Sequence, residues 1–107
     1  MKSHPERVRE YRRRATLRGH GVTLEQYDAM WEEQLGKCAN PGCDSTAPMR
    51  MDDYHNGLHV DHDHATLKVR GLLCGPCNKA LGCVNDDPKR LAGLIDYLAS
   101  PSLLLLN

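Results

Sequence analysis

Phenylalanine is missing from the 107 residues, and aromatic side chains make up only 5% of them. A chain so short of large apolar rings has little material for a deep core. Small domains with thin cores need a staple such as a disulfide or a bound metal. Long apolar runs are missing as well. The C-terminal stretch Leu103–Leu106 is four leucines, against roughly 18 for a membrane span. The N-terminus is charged rather than apolar, so neither a secretory leader nor a membrane anchor is expected, and the expected location is cytoplasmic. Net charge is absent too, with 14 basic and 14 acidic residues. An even balance argues against nucleic acid only if the charge is evenly spread.

The charge is not evenly spread. Residues 1–20 carry Lys2 and six arginines against Glu6 and Glu10, and residues 21–36 carry four acids and no base. A basic arm beside a neutral body is a nucleic-acid footprint, although a solvated helix face has the same composition. Within the arm, Arg12-Arg13-Arg14 is the best candidate for contact with a phosphate backbone. Ser3 and Glu6 form a capping-box pattern with Pro5 in the first turn, which predicts an exposed helix over 4–17. Thr23 and Gln26 repeat the pattern, and Leu24, Tyr27, Met30, Trp31 and Leu35 follow at helical spacing, predicting a helix over 23–35. Tyr27 and Trp31 read as core anchors, whereas His4, His20 and His55 read as solvent-exposed. Asn56-Gly57 signals a turn inside an irregular hairpin over 49–61. Leu58–Asp61 and Lys68–Leu73 read as antiparallel strands, followed by a helix from Gly75 to Gly82. A last helix opens at Asp87-Pro88, carries Leu91, Leu94, Ile95 and Leu98 on one face, and stops at Pro101.

The cysteines supply the staple. Cys38-x4-Cys43 and Cys74-x2-Cys77 are two short loops, and four thiolates gathered from them suit the tetrahedron that Zn²⁺ prefers. Such a site contributes folding free energy outright. With four cysteines as ligands no position is open to water, so the zinc is expected to be structural. Cys83 is left over, expected as a buried or inert thiol near a helix end.

The segment His59-Val60-Asp61-His62-Asp63-His64 packs two acids and three imidazoles into six residues, a costly crowding for a strand that only supports a fold. Alternation along a strand puts Asp61 and Asp63 on one face and His62 and His64 on the other. A bend at the strand end would let Asp61 and His62 converge. Hydrolysis of a phosphodiester needs a deprotonated water, a cation on the scissile phosphate and a group for the leaving oxygen. A neutral imidazole can take the proton, and carboxylate and amide oxygens suit Mg²⁺. Asp61 as ligand, His62 as base and Asn78 as a second ligand from the following helix satisfy those needs. Lys68 and Arg70 read either as grips on flanking phosphates or as solvated strand ends.

Those residues, with Val69-Arg70-Gly71-Leu72-Leu73-Cys74 and Cys77-Asn78, resemble the phage recombination endonuclease VII family, part of the wider His-Me finger or HNH-type nucleases. The resemblance covers about 37–98. It implies a small α+β fold, a zinc-stapled ββα-metal core with flanking N- and C-terminal helices. It implies structural zinc on Cys38, Cys43, Cys74 and Cys77, catalytic Mg²⁺ on Asp61 and Asn78 with Mn²⁺ as a substitute, and His62 as general base. His64 matches a second active-site histidine, and Asp63 matches either the site or a structural hydrogen bond. Two features depart from the family: the first Cys pair is wider than x2, and Leu81 stands where some members have an acid.

The expected organisation is a basic arm over 1–22, the nuclease domain over 23–100 and a tail over 101–107. The expected function is a Mg²⁺-dependent DNA endonuclease selective for branched or nicked DNA, with a homodimer and a phage assembly partner left open. The location becomes the host cytoplasm for a phage-encoded chain. The alternative is a non-catalytic zinc module that binds DNA or protein.

Overall fold

The computed structural model describes residues 5–47, 57–102 and 104. Ser3, His4, His55 and the greater part of the expected 49–61 hairpin lie outside the described residues. The elements run α1 (Pro5–Gly19), α2 (Leu24–Glu33), β1 (His59–His62), β2 (Val69–Leu73), α3 (Gly75–Cys83) and α4 (Pro88–Ala99), a small α+β arrangement. Each expected helix and strand is present within two residues of its expected ends, save that α2 stops short of Leu35. That residue takes a left-handed φ of 55° and is exposed. Gly36 follows at φ 70°. A Cβ there would meet the Trp31 ring at 2.8 Å, so the turn that ends α2 needs a glycine at this position for both reasons.

The interior is assembled from three sources. Leu17 and Val22 flank the α1–α2 turn, Leu24 and Tyr27 come from α2, and Leu58, Val60, Leu72 and Leu73 come from the hairpin. Helix α1 is therefore not a free arm: Leu17, near its C-terminal end, is completely buried. The expectation of an exposed helix fails at Leu17, which joins Val22 to seat the turn. Thr23 caps α2 through the expected reciprocal pair with Gln26, at 3.0 and 2.9 Å. The Tyr27 hydroxyl donates to the Leu58 carbonyl at 2.8 Å, and Trp31 Nε1 donates to the Ala47 carbonyl at 2.9 Å, so both rings anchor α2 as expected.

Strands β1 and β2 pair antiparallel with His59 opposite Leu73, Val60 opposite Leu72 and Asp61 opposite Gly71, and the register shifts between Asp61 and His62. A two-stranded sheet has two open edges. Gln34 closes one: its amide accepts from Leu72 N at 3.0 Å and donates to Leu72 O at 2.9 Å, and Ala39 N donates to the same carbonyl at 2.9 Å. Asp63 organises the hairpin turn, its Oδ1 accepting from Ala65 N at 2.8 Å and Thr66 N at 3.1 Å. Two consecutive left-handed residues, Asn85 and Asp86, both at φ 55°, link α3 to α4. Asp87 caps α4 by accepting from Lys89 N at 2.9 Å. The apolar face expected of α4 exists but is turned largely outward: Leu94, Ile95 and Leu98 are all exposed. Among the described residues no helix is long and apolar enough to cross a membrane.

Candidate metal centre and hairpin site

The loop over 37–47 and the start of α3 bring the four cysteines together. The Sγ atoms of Cys38, Cys43, Cys74 and Cys77 lie within 4.8 Å of one another. A tetrahedron with Zn–S bonds of about 2.3 Å has sulfur–sulfur edges of about 3.8 Å, and Cys43 Sγ stands 3.9 Å from Cys74 Sγ. The four thiols are thus positioned to hold a metal ion, and their geometry is consistent with zinc. Backbone and amide donors already point at the sulfurs, as thiolates require. Cys74 N donates to Cys38 Sγ at 3.3 Å, and Asn40 Nδ2 donates to Cys77 Sγ at 3.4 Å. The x4 spacing costs nothing, because Asn40 folds the extra residues into a turn by accepting from Gly42 N at 3.0 Å.

Four protonated thiols crowd badly. Although the Asn40 hydrogen bond lowers it, burial and the neighbouring cysteines push Cys77 up to about 12. Hydrogen bonds from Ser45 bring Cys43 down to about 7. A divalent ion held by the four sulfurs would replace those protons. Cys83, expected to be buried or inert, is instead exposed at the end of α3.

The second group of residues sits on the hairpin. Asp61 is only 6% exposed, and a buried carboxylate needs a partner. Arg70 supplies it bidentately, Nε to Oδ2 at 2.8 Å and Nη2 to Oδ1 at 3.0 Å. The same Nη2 reaches the His62 carbonyl at 2.9 Å and Asp86 Oδ2 at 3.2 Å. The Asp61 hydrogen bonds raise the pKa of Arg70. Asp86 also holds His64, with Nδ1 of the ring 2.5 Å from Oδ2. Burial opposes the charge on Asp86, but His64 and Arg70 together keep its carboxyl below the ordinary value.

His62 turns the other way. Its Nε2 contacts the carbonyl oxygen of His20, and the two rings stack with centroids 6.1 Å apart. His20 was expected to be solvent-exposed. It is instead partly buried, and burial together with the His62 ring lowers its pKa. Asn78 is half-buried one turn into α3. The start of that helix lies close to β1, since a Cβ on Gly75 would come within 3.6 Å of His59 Nε2. Among the described residues no hydrogen bond joins the Asn78 side chain to Asp61 or His62. Asp63 serves the hairpin turn, and the Thr66 and Ala65 amides lower its pKa. Lys68 is exposed at the base of β2.

A cavity of about 580 Å³ opens beside Asp61 and Arg70, walled by Leu73, Cys77 and Leu81 and covered by Leu91 and Ile95 of α4. The arginine run is partly spent inside the fold. Arg13 pairs with Asp28 at 3.1 Å, and Arg14 pairs with Glu10 and Glu25 at 3.0 Å each. Arg12 is exposed.

A zinc-ready knuckle feeding a hairpin and helix with this His/Asp segment is what the family resemblance required, and the family model of recombination endonuclease VII matches residues 11–100. The chain belongs to the recombination endonuclease VII family. The chain is similar to the Gene 59 protein of Mycobacterium phage D29, at 42% identity over 86 residues, or 79% of this chain and 48% of that protein. The Gene 59 protein of Mycobacterium phage L5 is 37% identical over 86 residues, with the same coverage of 79% and 48%. The chain spans about half the length of the curated relatives it matches. The match begins at residue 11, inside α1, which accords with the packing of Leu17 into the endonuclease VII core.

Two residues of the hairpin site escaped the sequence reading. Asp86 was hidden by Asp87, whose Asp-Pro pattern explained the helix start and left its neighbour unexamined. His20 carried no local signal, since its contact with His62 spans 42 residues.

Proposed function

We propose that the chain is a Mg²⁺-dependent DNA endonuclease of the ββα-metal, His-Me finger type, using His62 as general base beside a structural zinc. The family supports a nuclease, and one observation of the site carries the assignment of the base. Nε2 of His62 faces a backbone carbonyl, which only accepts hydrogen bonds, so Nε2 carries the proton. The neutral ring then presents Nδ1 as a lone pair. A base oriented in this way is ready to take a proton from the attacking water. The lowered pKa of the neighbouring His20 keeps a positive charge away from that ring.

Asp61 and Asn78 offer the carboxylate and amide oxygens that suit Mg²⁺, on β1 and on the helix packed against it. Bound there, the cation would neutralise charge developing on the scissile phosphate and the departing oxygen. His64, held by Asp86, is the second active-site histidine and a phosphate contact. Arg12 and Lys68, both exposed, are the backbone grips, and Arg70, Arg13 and Arg14 act mainly through their internal ion pairs. DNA is the substrate, with branched or nicked forms preferred, in the cytoplasm of a phage host. A homodimer would supply one site to each strand.

The test is cleavage of supercoiled plasmid by His62→Ala. The rate should fall at least about 100-fold, as for loss of a general base, with zinc content and circular dichroism unchanged. A variant that cuts like the parent removes His62 from the mechanism. One observation favours the non-catalytic reading: Arg70 already occupies both oxygens of Asp61. A pure binder would shift the plasmid band in Mg²⁺ without nicking it.

A further inference from the structure

The Arg70 contacts are oversubscribed. Its Nη2 has two protons and three acceptors within reach, Asp61 Oδ1 at 3.0 Å, the His62 carbonyl at 2.9 Å and Asp86 Oδ2 at 3.2 Å. Asp86, for its part, is undersubscribed. Its Oδ1 is buried without a hydrogen-bond partner, while Oδ2 is shared between His64 and Arg70. A buried carboxylate oxygen left unpaired is costly, and an Arg–carboxylate pair is most favourable when bidentate. Arg70 thus stands between two carboxylates, satisfying the first with two bonds and the second with one.

We propose that Asp86 is a positioning residue that gives Arg70 a second seat, so that Asp61 can be freed for a divalent cation. The inference rests on Asp61 being a cation ligand, as read above. A guanidinium gripping both Asp61 oxygens and a divalent ion on the same carboxylate compete, for its lone pairs and through like charge. When the ion binds, Arg70 must go somewhere without stranding its charge. Rotation toward Asp86 gives up the two bonds to Asp61, adds a second bond to the one Asp86 already receives, and pairs the orphaned Oδ1. The left-handed backbone at Asp86, φ 55°, and the bond from its N to Leu81 O at 2.9 Å fix that carboxylate over the hairpin before any ion arrives. Because His64 shares Oδ2, the move also tightens the acid that orients His64.

The experiment measures Mn²⁺ binding to the zinc-loaded full chain by the loss of the free-ion resonance signal. Asp61→Asn should abolish the site. Asp86→Asn keeps the side-chain shape, and asparagine tolerates the left-handed backbone, with zinc content reporting an intact fold. It should weaken Mn²⁺ binding roughly tenfold, a usual size for two groups coupled through one side chain. A plain loss of negative charge would also weaken binding, so the same substitution is repeated with Arg70→Gln. In that background its effect should shrink to about twofold or less, since no guanidinium remains to be moved.

In the parent protein, the Arg70 Nε–H resonance should shift on adding Mg²⁺ and shift less in Asp86→Asn. An equal loss in both backgrounds, or no loss in either, overturns the role of Asp86 and leaves Asp61 as ligand untouched. Mn²⁺ binding that survives Asp61→Asn unchanged overturns the cation site itself, and with it this inference.

Discussion

Tyr27 is the residue on which the helical layer and the hairpin meet. Its ring is fully buried, and its hydroxyl spends its proton on the Leu58 carbonyl just before β1. Tyr27→Phe keeps the ring and strands the carbonyl, so it should destabilise the chain by about 1–3 kcal/mol, read as a lower midpoint in urea at unchanged slope. A change below a few tenths would mean that water replaces the hydroxyl. Tyr27 was legible in the sequence because helical spacing names the buried face of α2. The cysteines were legible for another reason: paired thiols at short spacing mark a metal-ready cluster wherever the chain puts them. His20 and Asp86 were not legible, because each acts through a contact far along the chain that depends on a left-handed turn.

At the scale of elements, the hairpin depends on Asp63. The expectation for this residue was divided between the site and a structural bond. The turn claims it: Oδ1 takes two backbone amides, and the chain closes with Leu67 N on Asp63 O at 2.7 Å. Those bonds favour the charged carboxylate, so its folded pKa lies below the ordinary value of 3.8. A depressed carboxyl stabilises the fold above its unfolded pKa, and the contribution disappears as pH falls through the folded one. The thermal midpoint of Asp63→Ala should therefore sit below that of the parent at neutral pH. The gap should narrow as pH falls below 3.8 toward the depressed folded value; a gap independent of pH would show that the carboxylate charge plays no part in the turn. Helix starts with caps, at Thr23 and Asp87, were legible to within a residue, since capping chemistry is local. The packing of α1 was less so. One leucine at its last turn decides it, and a basic, weakly amphipathic helix hides that residue among arginines.

For the molecule as a whole, the thin core puts weight on the cysteine cluster, which is positioned to hold a metal ion. The four cysteines come from two segments, the loop over 37–47 and the start of α3, and an ion held on their sulfurs would tie the two together. Without the ion, four thiols share a space where burial and crowding oppose the charge of Cys77, and the hairpin loses one of its walls at Cys38 and Cys74. Zinc removal should therefore unfold the domain, given the roughly 10–16 kcal/mol that such sites contribute in small zinc-dependent folds. The proposed Mg²⁺ is different in kind. Asp61 has Arg70 to neutralise it when no cation is bound, so omitting Mg²⁺ should stop cleavage and leave the melting curve close to the parent's. Titrating the thiols with an organomercurial should release one zinc per chain and collapse the helical signal together with the near-ultraviolet band of Trp31. Added Zn²⁺ with excess thiol should restore both, whereas added Mg²⁺ should restore neither. A zinc-free chain that keeps its melting transition would mean that Leu17, Tyr27, Leu58 and Leu72 suffice on their own, and the cysteines would then need another purpose.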